Sequence, residues 1–370
     1  MKLSKPYHIK DFKFLLVLSV LALSIIGVLA VGSAEPSSQM KQIIGIIMGI
    51  IVMVIISMID YEWLLNLYWL IYGFNLLLLL YVHFLGMELN GAKRWINLGF
   101  TTLQPSDFTK IFMILFFAKF LMNHEARMKE PLTIVKSVLL IAPSLLLIYK
   151  PAKPFKYTLY CGAVLYFDVH RWIELQVHWH CTCNCNSGSN HCCQHRCYAK
   201  PAIFERYQQN VSCLAGTGKY ADDTAYQQQN SIMAIGSGQL KGKGLNNNTT
   251  TSVKNGNFLL EADTDFIFAI IGEELGFVGC CIVIILLLLI VIQCILIGLR
   301  AQNLAGRIIC EGVAALIAIQ SFINIGVATG VLPNTGLSLP FVSAGLTSIV
   351  CFYMGIGFVL NVGLQPKKYQ

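Results

Sequence analysis

An all-α protein that crosses a membrane several times is the fold class that the sequence predicts. Hydrophobic residues make up 55% of the 370 positions and charged residues only 12%, whereas a soluble domain carries about 25% charged residues. About 20 consecutive apolar residues mark a transmembrane helix, and eight segments have this character: about 14–30, 43–59, 64–85, 108–122, 133–148, 266–297, 308–331 and 348–362. We therefore expect one integral membrane domain, 1–370, without a cleavable signal peptide.

Basic residues predict the orientation of the chain, because Lys and Arg are enriched in cytoplasmic loops. Four lysines precede the first span, and basic residues recur after the fourth span, between the sixth and seventh, and in the tail. This pattern places both termini in the cytoplasm and the stretch 219–264 in an extracytoplasmic loop. The net charge of +8 follows from this topology, so we expect membrane lipid and no nucleic acid as a partner.

The first outer loop, 91–110, carries Lys93 and Arg94 on the side where basic residues are disfavoured. An anionic ligand would explain their position, since an Arg side chain binds phosphate through two parallel hydrogen bonds. The alternative is ordinary anchoring at the lipid headgroups. The run "QPSD" predicts the start of a helix, with Pro105 in the first turn and Asp107 near the positive end of the helix dipole.

The second outer loop, 256–280, places three carboxylates at the start of an apolar helix, the last of them Asp265. Helical rotation puts Gly272 and Gly276 near the face of Asp265, and this pair of small residues lets another helix approach closely. Glu273 and Glu274 are expected about 12 Å deeper, and ionisable groups inside a span are functional candidates. The alternatives are a helix cap at Asp265 and a buried, hydrogen-bonded glutamate pair.

Two further stretches are rich in Gly or Pro. Residues 330–348 predict a rigid non-helical segment, which survives at membrane depth only when it is buried in protein or lines a watery cavity; Ser343 is one of its hydroxyls, and a plain re-entrant turn is the alternative. Residues 231–251 hold four glycines with Lys241 and Lys243, whose amides and ammonium groups are suited to a phosphate. A flexible loop has the same composition.

These stretches together resemble the SEDS family of bacteria (shape, elongation, division and sporulation), which comprises the RodA, FtsW and SpoVE proteins. The matching motifs are "GAKRWINLG", "QPSDFTK", "AIGSGQLKGKG", "TDFIFAIIGEELGFVG" and "LPNTGLSLPFVSAG", in family order. The resemblance covers the chain except a gap near 150–218. Asp107 and Ser338 stand where the family usually has Glu and Pro, and Ala344-Gly345-Leu346 replaces a Tyr-Gly-Gly run.

The resemblance implies a bundle of ten helices that polymerises lipid II into peptidoglycan at the outer face of the bacterial cytoplasmic membrane, together with a class B penicillin-binding protein. The family's essential acidic residue falls on Asp265. A divalent cation, Mg²⁺ or Mn²⁺, is a candidate cofactor at the leaving diphosphate. Eight residues of the outer loops are candidates for substrate binding: Lys93, Arg94, Gln104, Lys110, Lys243, Glu273, Glu274 and Ser343. A lipid II transporter is the alternative within the same fold, because intramembrane charges and a broken segment suit a flippase too.

The stretch 178–198 holds six of the chain's thirteen cysteines and four of its eight histidines. It suggests a membrane zinc protein, but its Cys-x-Cys and adjacent Cys pairs fit no standard zinc finger. Residues 150–218 replace two spans that the family has, and family-like sequence resumes after them. Read one nucleotide later with suitable synonymous codons, the gene from codon 150 can encode an apolar stretch opening with Gln-Pro-Asn-Leu. We interpret the segment as frameshifted, so this copy of the protein is expected to be inactive.

Overall fold

The computed structural model describes residues 13–89, 92–97, 102–125, 131–149, 219–246, 259 and 261–365. Ten α-helices and three short strands occupy these ranges. In chain order they are α1 (Phe14–Ala34), α2 (Pro36–Met58), α3 (Tyr61–Asn66), α4 (Tyr68–Leu85), β1 (Met87–Leu89), β2 (Ala92–Asn97), β3 (Thr102–Leu103), α5 (Pro105–Asn123), α6 (Pro131–Tyr149), α7 (Lys219–Ser237), α8 (Ile267–Leu299), α9 (Leu304–Ala328) and α10 (Leu346–Gly363). The anomalous segment 150–218 lies outside the described residues.

Helices occupy most of each of the eight predicted spans, which confirms an all-α membrane bundle. Six of the described helices are long and apolar enough to cross a membrane: α1, α2, α4, α8, α9 and α10. The other two predicted spans correspond to α5, which carries Asp107, Lys110 and Lys119 among its 19 residues, and to α6, whose apolar part is shorter. Large apolar side chains are exposed along α1, α2, α4 and α8, as expected of surfaces that face lipid.

Helix α10 forms the centre of the bundle and is almost entirely buried. It packs against α2 over a seam of small residues: a Cβ on Gly49 would lie 2.7 Å from the ring of Tyr353, and one on Gly357 would lie 2.9 Å from the Met53 carbonyl. Helices α5, α8 and α9 surround its other sides. Small residues allow this close approach of backbones, which strengthens the dispersion contacts that hold helices together in lipid.

Helix α8 is interrupted, although the sequence predicted one continuous span. Gly276 has φ 66° and ψ −164°, which separates a first piece, 267–275, from a second piece, 277–299. The prediction that Gly272 and Gly276 share one helical packing face is therefore wrong. A close approach does occur at Gly272, where an added Cβ would lie 3.0 Å from the Ile235 side chain of α7.

The segment between α9 and α10 enters the bundle without forming a helix, as the sequence predicted. Val342 lies against α1, where a Cβ on Gly27 would come within 2.8 Å of the Val342 Cα. The side chain of Gln42 on α2 donates a 2.8 Å hydrogen bond to the Val342 carbonyl. Phe341 is buried and has φ 63°, a left-handed conformation that few non-glycine residues adopt. The segment is buried in protein, which is the condition for irregular backbone at membrane depth.

A three-stranded antiparallel sheet connects α4 to α5, where no strands were predicted from the sequence. The strand order is β1-β2-β3, with Met87 opposite Trp95 and Ile96 opposite Leu103. β3 leads directly into α5 through Gln104, which is the N-cap residue, and Pro105 begins the helix. The predicted helix start at "QPSD" is confirmed.

Candidate active site

Asp265 lies in a turn, 261–266, that precedes α8. The backbone N–H of Phe266 donates to the Glu261 carbonyl at 3.2 Å, and the Ala269 N–H donates to the Phe266 carbonyl at 2.9 Å, so the turn runs into the helix without a gap. The Phe266 side chain is fully buried, whereas Asp265 is partly exposed. The buried Phe266 ring therefore anchors the turn, whereas the neighbouring Asp265 stays partly exposed.

Ser343, a predicted site residue, holds the re-entrant segment against this turn. Its hydroxyl donates a 2.6 Å hydrogen bond to the Thr264 carbonyl and accepts a 2.7 Å hydrogen bond from the Leu339 N–H. The Ala344 N–H donates to the Asp263 carbonyl at 2.8 Å. The second and third outer loops of the sequence therefore meet at Asp265.

Lys110, another predicted site residue, is buried on α5 with its ammonium group directed at polar partners. The ammonium donates to a carboxylate oxygen of Asp107 at 2.9 Å and to the side-chain oxygen of Gln320 at 3.1 Å. Because Asp107 already offsets part of the positive charge, Lys110 presents an ion pair rather than a bare cation. Gln104, at the start of the same helix, donates its backbone N–H to the Thr347 hydroxyl at 3.4 Å.

Asn324 and Gln320 on α9 connect these parts, although neither was a site residue predicted from the sequence. Asn324 donates from its side-chain nitrogen to the Asp265 carbonyl at 2.9 Å and to the Leu337 carbonyl at 2.6 Å. Gln320 donates to the Ser338 carbonyl at 2.8 Å. Their signal in the sequence is two amide side chains, four residues apart, in the mostly apolar second half of α9; such polar groups in lipid-embedded helices are expected to have a hydrogen-bonding role.

Lys93 and Arg94 lie on β2, in the sheet that leads into α5. Lys93 stands opposite Glu88 in the β1–β2 register. The sheet thus places the two basic positions just before the helix that carries Lys110, at the same end of the bundle as the Asp265 turn. Their proposed contact with an anion stays a prediction.

The remaining predicted residues, Lys243, Glu273 and Glu274, form a second group at the far end of the first piece of α8. The Lys243 ammonium lies 2.8 Å from a carboxylate oxygen of Glu273, whose side chain is almost fully buried. Glu274 is buried too and accepts a hydrogen bond from the Ser33 hydroxyl, near the end of α1. This placement agrees with the alternative that the sequence left open, a buried and hydrogen-bonded glutamate pair, and adds Lys243 as the partner of Glu273.

The glycine-rich loop, 238–244, fills the break in α8 with its own backbone. The N–H groups of Lys243 and Gly244 donate to the Glu273 and Glu274 carbonyls, each at 3.0 Å, and the Gln239 carbonyl accepts from the Phe277 N–H at 2.9 Å. A Cβ on Gly242 would lie 2.1 Å from the Glu274 carbonyl. The prediction that these amides cradle a phosphate is wrong for Lys243 and Gly244, because their N–H groups bind the broken helix.

Metal-ligating residues do not gather in the part of the chain that the structure describes: it contains no group of three or more His, Cys, Asp or Glu side chains that could hold a metal ion. The five cysteines there, Cys280, Cys281, Cys294, Cys310 and Cys351, form no disulfide. The Cys/His stretch 178–198 lies outside the described residues. The divalent cation therefore stays a prediction.

Comparison with known proteins identifies the family. The model of the FtsW/RodA/SpoVE family, described as "Cell cycle protein", matches residues 8–368. Among curated relatives, a probable peptidoglycan glycosyltransferase FtsW of Coxiella burnetii is 32% identical over 81% of this chain and 79% of its own length. The peptidoglycan glycosyltransferase MrdB of Escherichia coli K12 is 28% identical over 97% of this chain and 95% of its own.

Solved structures share the fold. A chain from a study of a peptidoglycan synthase complex that coordinates polymerization and crosslinking superposes with a TM-score of 0.71 at 24% identity, covering 95% of this chain and 97% of the other. The rod shape determining protein RodA of Thermus thermophilus gives 0.68 at 23% identity, with coverage of 95% and 96%. The protein belongs to the FtsW/RodA/SpoVE family of cell cycle proteins.

Proposed function

We propose that the chain has the site of a peptidoglycan glycosyltransferase that polymerises lipid II, with Asp265 as the general base, and that activity requires the two spans that 150–218 replaces. The observation that carries the proposal is the convergence at Asp265: the re-entrant segment, α9 and α5 bring hydroxyls, amides and the Lys110 ammonium to one end of the bundle. Membership of a family whose named relatives are peptidoglycan glycosyltransferases supports the substrate class.

In this reaction the Asp265 carboxylate accepts the proton of the 4-hydroxyl of the acceptor's GlcNAc. The freed oxygen attacks C1 of the donor's MurNAc, the bond from C1 to the diphosphate oxygen breaks, and undecaprenyl diphosphate leaves. A positioned base contributes about 10²–10⁴-fold to such a step. Charge that develops on the diphosphate is stabilised by positive groups already in place, for which Lys110 is the described candidate and Lys93 and Arg94 the neighbouring ones in sequence.

The proposal includes a partner, an orientation and a cation. A class B penicillin-binding protein would crosslink the strands, and a fold match within a peptidoglycan synthase complex supports such a partner. Both termini lie in the cytoplasm, so that the Asp265 end of the bundle faces outward. The Asp265 carboxylate and the diphosphate oxygens of the substrate are hard oxygen ligands of the kind that suit Mg²⁺ or Mn²⁺. The described residues build no complete cation site, and no step of the proposed reaction is assigned to a metal ion.

The test is polymerisation of labelled lipid II by the purified protein in liposomes. Two forms are assayed: the chain as printed, and a repaired chain in which 150–218 is replaced by the two spans of a relative. We expect the repaired chain to make glycan polymer and Asp265→Asn to abolish it. Asp263→Asn is the matched control, because only the backbone of Asp263 contacts the re-entrant segment. Polymer that persists in Asp265→Asn would overturn the assignment.

The same liposomes separate an enzyme from a transporter. The irregular backbone at Gly276 and in the re-entrant segment is also found in transporters. Movement of lipid II between leaflets without polymer, in the repaired chain, would favour a flippase. Sequencing the gene across codons 145–220 tests the frameshift directly: an uninterrupted frame that encodes the printed residues contradicts it, and polymer made by the chain as printed contradicts the loss of activity.

A further inference from the structure

We propose that Gln320 and Asn324 are a pair of positioning residues that fix the distance between the Lys110 ammonium and the Asp265 turn. The inference rests on the proposed function, because it assigns these two amides to the placing of that reaction's cation and base. Neither side chain needs to touch the substrate for this role. Each acts through a residue that does.

Asn324 controls the position of Asp265. Its side chain is 1% exposed, and its nitrogen donates to the Asp265 carbonyl and to the Leu337 carbonyl. Because this side-chain atom of Asn324 lies within hydrogen-bond distance of two carbonyl oxygens, it is the amide nitrogen. The amide oxygen in that place would face two acceptors without a donor. The side-chain oxygen of Asn324 has no hydrogen-bond partner among the described residues. The contacts of Asn324 within the described residues therefore run through its nitrogen, which joins the Asp265 turn to the re-entrant segment.

Gln320 controls the position of Lys110. It is fully buried, its side-chain oxygen accepts from the Lys110 ammonium at 3.1 Å, and its nitrogen donates to the Ser338 carbonyl at 2.8 Å. Donor and acceptor of one amide are thus both used, and the amide joins α5 to the re-entrant segment. Loss of Gln320 would leave the ammonium with the Asp107 carboxylate as its partner among the described residues.

The spacing of the two amides places their separate roles side by side on α9. Residues four apart on a helix lie on one face and about 6 Å apart along the axis. Their nitrogens bind the carbonyls of Leu337 and Ser338, which are consecutive in the re-entrant segment. One turn of α9 therefore fixes the distance between the turn that carries Asp265 and the helix that carries Lys110. The re-entrant segment, which accepts a hydrogen bond from each amide, links the two.

The experiment measures kcat and KM for lipid II, and the pH dependence of kcat/KM, in the repaired chain. Asn324→Leu and Gln320→Met remove the hydrogen bonds with little change in volume. We expect Asn324→Leu to lower kcat by about 10–100-fold with KM nearly unchanged, because a misplacement of about 1 Å costs about that factor. We also expect it to shift the acidic limb of the pH profile, which reports the base of the free enzyme. Gln320→Met should instead raise KM.

Binding of undecaprenyl diphosphate to the chain as printed needs no turnover and gives a second measurement. Gln320→Met should weaken this binding several-fold, and Asn324→Leu should leave it unchanged. Two controls separate positioning from folding. Asn361→Leu removes a buried Asn that donates to the Ser57 and Ile59 carbonyls at the opposite end of the bundle, and Ser321→Ala alters a buried neighbour on α9. Both should leave the pH profile in place.

The outcomes are distinct. If Asp265→Asn retains activity, the proposed function fails. If Asp265→Asn is inactive but Asn324→Leu behaves like Asn361→Leu, with no shift of the pH profile and no fall in kcat, the positioning inference fails alone. Equal effects of the Asn324 and Gln320 variants on kcat, KM and binding would also overturn it, because the proposal assigns the two amides to different groups.

Discussion

The hydroxyl of Ser343 donates a 2.6 Å hydrogen bond to the Thr264 carbonyl, one residue before Asp265. The same oxygen accepts from the Leu339 N–H at 2.7 Å, so one small side chain connects two backbones. Ser343→Ala leaves both backbone groups without this partner, and each unsatisfied buried group costs about 1–3 kcal/mol. We expect a clear loss of stability against unfolding by SDS in mixed micelles, together with a loss of polymerisation. Ser237→Ala, at an exposed position of α7, should change the free energy of unfolding by at most about 0.5 kcal/mol.

Gly242 and Gly236 provide a matched test of the loop that fills the break in α8. Gly242 has φ +78°, and an added Cβ would meet the Glu274 carbonyl at 2.1 Å. Gly242→Ala should destabilise the protein by more than the roughly 1–3 kcal/mol that a strained backbone position costs, because a clash is added to the strain. Gly236, in α7, has nothing within 4 Å of its Cβ position, and Ala is favoured over Gly in a helix by about 0.5–1 kcal/mol. In thermal unfolding we expect Gly242→Ala to lower the melting temperature and Gly236→Ala to raise it. Shifts of the melting temperature in the same direction would contradict this account.

Some features of the site could be predicted from the sequence because they depend on short-range rules. Pro105 and Asp107 mark the start of α5 through the missing N–H of proline and the helix dipole, and both expectations hold in the structure. The non-helical segment around Ser343 follows from its prolines and glycines. Its burial follows from the cost of bare backbone in lipid.

Other features depend on contacts between residues far apart in the chain. The break at Gly276 is stable because the loop 238–244 supplies N–H donors to the Glu273 and Glu274 carbonyls, and helical periodicity cannot show which distant segment will do so. The same limit applies to Asn324, whose partner Asp265 lies 59 positions away. A periodic pattern predicts that a helix forms, whereas only the packed bundle shows where its polar side chains point.

Tyr61 is expected to make stability depend on alkaline pH. It begins α3, between the spans α2 and α4, and burial, with a smaller contribution from the Glu62 charge, raises the pKa of its hydroxyl well above the ordinary 10.0. A raised pKa in the folded state means that the stabilising contribution is fully present below pH 10 and is lost as pH rises from there, by up to about 1.36 kcal/mol per pH unit.

The measurement for Tyr61 compares the wild type with Tyr61→Phe. Below pH 10 the wild type should be more stable by about 0.5–1.5 kcal/mol, because its hydroxyl donates a 3.0 Å hydrogen bond to Asn303. Above pH 10 the difference should shrink and then reverse, since Phe cannot ionise. A difference in unfolding free energy that stays constant from about pH 8 to about pH 11 would contradict the raised pKa of Tyr61.

The Lys243–Glu273 pair should matter more than an ordinary surface ion pair, because Glu273 is 1% exposed and Lys243 is 22% exposed. Lys243→Met leaves a buried carboxylate without this counter-charge, and removal of one partner of a buried pair costs about 3–5 kcal/mol. Glu273→Gln keeps the shape and removes the charge, so we expect a smaller loss, and we expect the double variant to recover part of the Lys243→Met loss. The partly exposed i,i+4 pair of Arg307 and Glu311 is the control, with an expected coupling of about 0.3–0.5 kcal/mol. Similar coupling energies for both pairs, measured by double-mutant cycles in mixed micelles, would show that the loop is not held to the broken helix by charge.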